Sequence, residues 1–243
     1  MGIISKIYNS FGYKLEKKNH NAYNEYDEFI DIYNICKPYT MTSIERMFAL
    51  YKGVEYIVKN NIPGDFVECG VWRGGSSMLI AMALNKFKVY DRNIYLFDTF
   101  EGMTDPTEKD VDTQGRSAKK MKEAVEKNTK WCYADVEDVQ NNMGKTGYPV
   151  QKIKYIKGKV EDTLPLFEEK ELALLRLDTD WYESTLIEMK VLYPMLVSKG
   201  VLIIDDYGHW AGAKKAIDEY IEEYNLALFL SRIDYTGRCA VKH

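Results

Sequence analysis

Two carboxylates two residues apart, Asp178 and Asp180 in RLDTDWYEST, follow directly on the apolar run LALLRL. A second apolar run, VLII, ends on the adjacent pair Asp205 and Asp206. Strands that are apolar along their whole length belong inside a covered parallel sheet, and acids at their ends then gather at one edge of it. Carboxylates held that closely repel, and without a counter-charge some stay protonated. A divalent cation resolves the conflict. An all-oxygen donor set with room for water or hydroxyl groups suits Mg²⁺ better than zinc. Such an ion can hold a hydroxyl, lower its pKa and aim it at an electrophile, while a spare carboxylate accepts the proton. The competing reading is helix capping, which suits Asp180 ahead of a helix over 183–192 but leaves the other three acids unexplained.

Beside the acids, DDYGHW places His209 and Trp210 at the rim of the same site. His209 either assists proton transfer or holds a substrate, or it is a surface loop residue. Tyr39, Met41, Trp181 and Tyr207 are candidates for the substrate wall by position.

A second constellation is VECGVWRGGSS, residues 67–77, which follows one predicted strand and opens a helix. Gly70, Gly74 and Gly75 let the backbone pass close to a ligand at the carboxyl end of the strand. Their spacing matches neither the dinucleotide fingerprint nor the P-loop, so a cofactor without a pyrophosphate fits better. Ser76 opens the helix and is counted with this set. Glu68 would suit the cationic amino-acid end of S-adenosylmethionine. Asp98 ends the next strand, where an acid accepts two ribose hydroxyls.

The elements that must position these residues are short apolar runs alternating with helical patterns. Strands are predicted at 65–70, 93–98, 153–158, 172–178, 200–206, 226–232 and 238–243, and helices are best marked at 76–84, 183–192 and 213–224. Runs apolar on both faces and separated by helices argue for a parallel sheet covered on both sides. Only the tight turn Asp234–Gly237 separates the last two strands, so they should pair as an antiparallel hairpin. A five-strand parallel sheet ending in such a hairpin is the layout of class I methyltransferases. Thr42-Ser-Ile-Glu45 reads as a capping box ahead of a stripe of Ile44, Met47, Phe48, Tyr51, Val54 and Val58, and Asn60–Gly64 stops that helix. The long connection over 99–152 has no clear strand and should hold two helices; it is read as a lid or a surface insertion. Residues 1–40 read as an arm or lid, with Ile3, Ile4, Ile7, Tyr8 and Phe11 on one helix face, and residues 41–243 as a single domain.

The totals exclude several classes. A net charge of −4 offers no global basic field for nucleic acid. No run approaches the roughly 20 apolar residues of a membrane span. The four scattered cysteines lack C-x-x-C spacing and read as reduced thiols of a cytoplasmic protein, and three histidines do not make a zinc site.

The longer stretches PYTMTSIERMFALYKGVEYIV, IPGDFVECGVWRGGSSM, FDTFEGM, LRLDTDWYEST and LYPMLVSKGVLIIDDYGHWAGAKKAIDEY together resemble the macrocin O-methyltransferase family, over about residues 38–225. The resemblance implies a Rossmann-like fold, S-adenosylmethionine and Mg²⁺ as cofactors, a sugar or glycoside as the small-molecule acceptor, and a homodimer or higher homo-oligomer. It places Asp178, Asp205 and Asp206 as metal ligands and Asp180 as the general base. Glu68 and Gly70 fall in the cofactor turn, Asp98 at the ribose, and Val160 and Glu161 at the adenine edge. Three other readings stay open: a catechol or phenol acceptor for the same chemistry, an Asp-x-Asp phosphatase, and a methyltransferase-like scaffold without turnover.

Overall fold

Seven strands arise where the apolar runs were expected. They are β1 (Asp65–Cys69), β2 (Ile94–Asp98), β3 (Ile153–Lys157), β4 (Leu172–Leu177), β5 (Leu196–Ile204), β6 (Ser231–Arg232) and β7 (Arg238–Val241). The computed structural model describes Tyr23, residues 26–168 and residues 170–243, so the apolar face of Ile3, Ile4, Ile7, Tyr8 and Phe11 lies outside the described residues. The strands form one sheet in the order β3-β2-β1-β4-β5-β7-β6. Strands β1 to β5 are parallel, and β7 runs antiparallel between β5 and β6. This is the Rossmann-like class I methyltransferase architecture that the alternation implied.

Side chains alternate across the sheet, and both faces are covered. Phe66, Leu174, Val201 and Ile203 pack toward α1 (Asp27–Cys36), α2 (Ile44–Lys59) and α3 (Gly75–Lys86). Val67, Cys69, Leu175, Leu177 and Leu202 pack toward α6 (Val160–Thr163), α7 (Tyr182–Met195) and α8 (Ala211–Glu223). The connection between β2 and β3 carries two helices, α4 (Ala118–Val125) and α5 (Val136–Gly144). Through Val139 and Met143, α5 joins the first core.

Three local expectations are corrected. The cap of α2 is Ser43, whose hydroxyl accepts from the Arg46 backbone N–H at 3.2 Å; the hydroxyl of Thr42 instead accepts from Arg176 at 3.0 Å. The fifth strand starts at Leu196, ahead of the predicted 200. Of the run 226–232 only Ser231 and Arg232 pair, because Leu226, Leu228 and Leu230 settle on the second core with their backbone outside the ladder, and Phe229 stays exposed. No described helix is long and apolar enough to cross a membrane.

The strand order reverses between β1 and β4, and in open α/β sheets the crevice outside the carboxyl ends at that point is where ligands bind. Here the two ends are drawn tightly together. The Asp178 N–H donates to the Cys69 carbonyl at 2.9 Å, and a Cβ on Gly70 would overlap the Asp178 carbonyl. Gly70 also has φ +83°, in the left-handed region. Gly70→Ala should therefore lower stability by more than the roughly 1–3 kcal/mol of the backbone strain alone; urea unfolding of the variant beside wild type checks this.

Candidate functional site

Parallel pairing sets Glu68 of β1 beside Arg176 of β4, and Arg176 beside Ile203 of β5. Two residues further on, on the same face of the sheet, come Gly70, Asp178 and Asp205. The buried Arg176 guanidinium therefore sits among three carboxylates. It donates to Glu68 at 2.5 Å, Asp178 at 2.7 Å and Asp205 at 2.5 Å. Burial works against the charge on Arg176, but Asp178, Asp205 and Glu68 outweigh it and hold the group protonated. Arg46 from α2 adds a second cation, pairing with Asp205 and, at 3.0 Å, with Asp234 of the hairpin turn. Ser43 donates to the same Asp234 at 2.8 Å.

Two arginines do not neutralise the acids. Asp178, Asp205 and Asp206 offer oxygens that all lie within 4.8 Å of one another, and Asp180 lines the same cavity. Burial, reinforced by neighbouring carboxylates, pushes Asp178 and Asp206 well above the usual range. Burial likewise pushes Asp180 up to about 7, partly opposed by its hydrogen bond with Asp206. The donor set is all oxygen, negatively charged and crowded, which is the environment that holds a hard divalent cation. Asp180 has φ +71°, as Trp72 (+46°) and Cys132 (+50°) around the same cavity are also left-handed. Strain of this kind persists only where the surroundings over-determine it.

The cavity has a volume of about 380 Å³ and takes in Tyr39, Met41, Gly70, Ser76, Asp98, Asp178, Asp180, Asp205, Asp206, His209 and Trp210 among its walls. A narrower cleft of about 60 Å³ continues from it, lined by Gly70, Asp98, Val160, Glu161 and Asp178. The cofactor-turn residues thus span both spaces. Asp98 is fastened to the turn itself: its carboxylate accepts from the backbone N–H groups of Val71 (2.7 Å), Trp72 (3.0 Å) and Phe100 (2.7 Å). One oxygen of Glu161 accepts from Ser184 at 2.6 Å, and the other is buried without a partner.

Four sequence-predicted residues line neither the large cavity nor the cleft. Glu68 is fully buried, and its oxygens are taken by Ser76, Ser77 and Arg176, so it supports the turn from below instead of facing a ligand's amino group. Gly74 lies behind the turn, left-handed at φ +88° as the cap of α3 and packed on Val139. Trp181 is buried behind the wall, edge-on to Trp131 and Trp210 with centroids 6.0 and 5.1 Å away. Tyr207 turns away and donates to Asp218 at 2.6 Å.

The cavity also uses residues that the sequence reading passed over: Arg46, Trp72, Trp131, Cys132 and Tyr235. Trp131 comes from the long β2–β3 connection and forms the aromatic wall of the cavity with Trp210, with Trp181 packed behind them. His209 packs edge-on to Trp210 at 4.8 Å, and burial holds its pKa below the ordinary histidine value.

The family described as Macrocin-O-methyltransferase (TylF) matches residues 4–241. The demethyldecarbamoylnovobiocin O-methyltransferase of Streptomyces niveus is 34% identical over 199 residues, 82% of this chain and 74% of that protein. The mycinamicin III 3''-O-methyltransferase of Micromonospora griseorubida is 30% identical over 82% of this chain and 76% of its own length. Among solved structures, the O-methyltransferase NovP aligns with a TM-score of 0.74 at 33% identity, covering 84% of this chain and 82% of that one. The calicheamicin methyltransferase CalS11 shares the fold, with a TM-score of 0.63 at 18% identity over 92% of this chain and 82% of that one.

Beneath the site, both carboxyl oxygens of Glu188 are fully buried with no hydrogen-bond partner, and burial pushes its pKa well up. A carboxyl raised in the folded state binds a proton that the unfolded chain has lost. Wild-type stability from this group therefore falls as pH rises above the unfolded value of about 4.3. Glu188→Gln should unfold at a higher temperature than wild type at pH 8, with the difference shrinking toward pH 5; melting curves of both proteins across that range test it.

Proposed function

The chain is an S-adenosylmethionine-dependent O-methyltransferase that belongs to the macrocin O-methyltransferase family, and we propose that its acceptor is a hydroxyl of a sugar or glycoside. The observation that carries this reading is the continuity of the two spaces: Gly70, Asp98 and Asp178 line both the narrow cleft and the large cavity. Residues along the cleft would hold the cofactor's adenosine, and the carboxylates and tryptophan wall of the cavity would then flank the acceptor of the methyl group that the cofactor supplies. Aromatic faces next to hydrogen-bonding acids suit a sugar ring, which presents C–H groups on one side and hydroxyls around its rim.

In this proposal Val160 and Glu161 meet the adenine edge and Asp98 receives the ribose hydroxyls. The crowded oxygens of Asp178, Asp205 and Asp206 fit Mg²⁺ and would hold it. The ion, when bound, supplies a Lewis acid that favours an ionised hydroxyl. Asp180, raised to about 7 by burial, is poised to accept the acceptor's proton near neutral pH. The cofactor, when bound, would supply the methyl group to the acceptor oxygen, with S-adenosylhomocysteine as the leaving group. Orientation contributes much of the rate, because the cofactor is already electrophilic. His209, held neutral by burial, can accept or donate a hydrogen bond at the rim. Membership of an O-methyltransferase family displaces the phosphatase reading.

Two variants test the assignment. Asp180→Asn should keep S-adenosylhomocysteine binding by calorimetry and lose about 100-fold or more in turnover; near-normal turnover would remove Asp180 as the base. Asp98→Ala should lose S-adenosylhomocysteine binding whether Mg²⁺ or EDTA is present, while wild type binds in both.

A further inference from the structure

A second cavity of about 270 Å³ shares His209, Trp210 and Tyr235 with the reaction cavity and opens on their far side. Its other walls are Thr113, Tyr207, Gly208, Ala211, Lys214, Arg232 and Arg238, with no carboxylate among them. That is an unusual composition for a chain whose net charge is −4. Arg232 and Arg238 face each other directly across the β6–β7 pair. Like charges directly opposite in an antiparallel pair are destabilising. Among the described residues, no carboxylate lies within ion-pair distance of either one. Their bonds go to backbone carbonyls of the turn: Arg232 to Asp234 at 2.7 Å and Arg238 to Gly237 at 2.8 Å. Lys214 is paired with Asp218, so the uncompensated charge belongs to the two arginines. Lys214 and Arg238 both lie over the Tyr207 ring, at 5.1 and 5.2 Å from its centroid, so the ring supports the cationic wall.

We propose that this cavity is a subsite for a phosphoryl group attached to the acceptor, so that the sugar enters the reaction cavity as a sugar phosphate or diphosphate and not as a neutral glycoside. Two opposed guanidiniums need more acceptor oxygens than one carboxylate provides, since a carboxylate satisfies a single fork. A phosphoryl group offers three oxygens and enough charge for both. The shared wall of His209, Trp210 and Tyr235 puts the anion on one side and the methylated hydroxyl on the other. This inference rests on the sugar O-methyltransferase reading.

The test is calorimetry in EDTA with inorganic pyrophosphate, run with and without S-adenosylhomocysteine. Wild type should bind pyrophosphate, more weakly as salt is raised, and Arg232→Gln/Arg238→Gln should raise Kd about tenfold or more. Arg238 braces the turn, so Arg232→Gln alone, at an exposed position, is the second variant and should also weaken binding. UDP-glucose, glucose 1-phosphate and methyl glucoside then separate the sources. Preference for UDP-glucose assigns a nucleotide-linked sugar, and preference for glucose 1-phosphate assigns a phosphosugar. Equal pyrophosphate binding by wild type and Arg232→Gln, or equal binding of methyl glucoside and both anions, would overturn the proposal. Loss of S-adenosylhomocysteine binding in wild type would instead strike the methyltransferase reading, so the two failures are distinguishable.

Discussion

A single buried cation, Arg176, conditions everything at the carboxyl edge of the sheet. It is 1% exposed and bonded to Glu68, Asp178 and Asp205, which come from three neighbouring strands or their ends. Removing one member of such a buried cluster leaves charge uncompensated, at a cost of roughly 3–5 kcal/mol. The arrangement is therefore mutually enforced: the register of β1 on β4 fixes which acid meets the guanidinium, and the guanidinium keeps the acids from repelling the strand ends apart. One oxygen of Asp178 and the whole of Asp206 remain outside this pairing, which leaves carboxylate oxygens facing the cavity without a cationic partner.

The sequence made the alternation of strands and helices, the closing hairpin and the four acids legible, because each depends on local pattern. Apolar runs mark the strands, and the residue at the end of a run marks the edge. Arg176 shows what local pattern hides. Inside LALLRL it reads as an interruption, and its partners lie 108 and 29 residues away, so only the pairing register reveals them. Glu68 was misplaced for the same reason: a glutamate in a glycine turn looks available until the serines that follow it fold back onto both its oxygens. Trp131 escaped because the connection that carries it has weak periodicity, and its aromatic partners belong to other segments. Tyr207 and Trp181 sit beside cavity residues in sequence, yet one points along α8 and the other behind the wall. Adjacency in the chain does not fix direction at a helix entrance.

The two halves of the site differ in how they are built. The acids and the glycine turn stand on strand ends, where pairing and a buried ion cluster hold them. The aromatic wall draws Trp131, Met103 and Gly102 from the β2–β3 connection, which contributes little to the sheet. Left-handed backbone at Trp72, Cys132 and Asp180 lies where the two halves meet. The rigid half suits chemistry that must not vary, and the connection suits recognition that can change without disturbing the core.

The tie between α2 and the hairpin turn sets the order in which the site is completed. Asp234 holds Ser43 and Arg46, and Thr236 donates to the Asp205 carbonyl at 2.8 Å. These contacts join residues as much as 191 positions apart, and the hairpin follows every other described element in sequence. Strands β1 to β5 pair in parallel with one another without the hairpin, so the acids can come together before the turn that steadies Arg46 has docked. Until that turn docks, Arg46 lacks one of its two carboxylate partners, and the acidic edge remains less firmly braced than in the finished molecule.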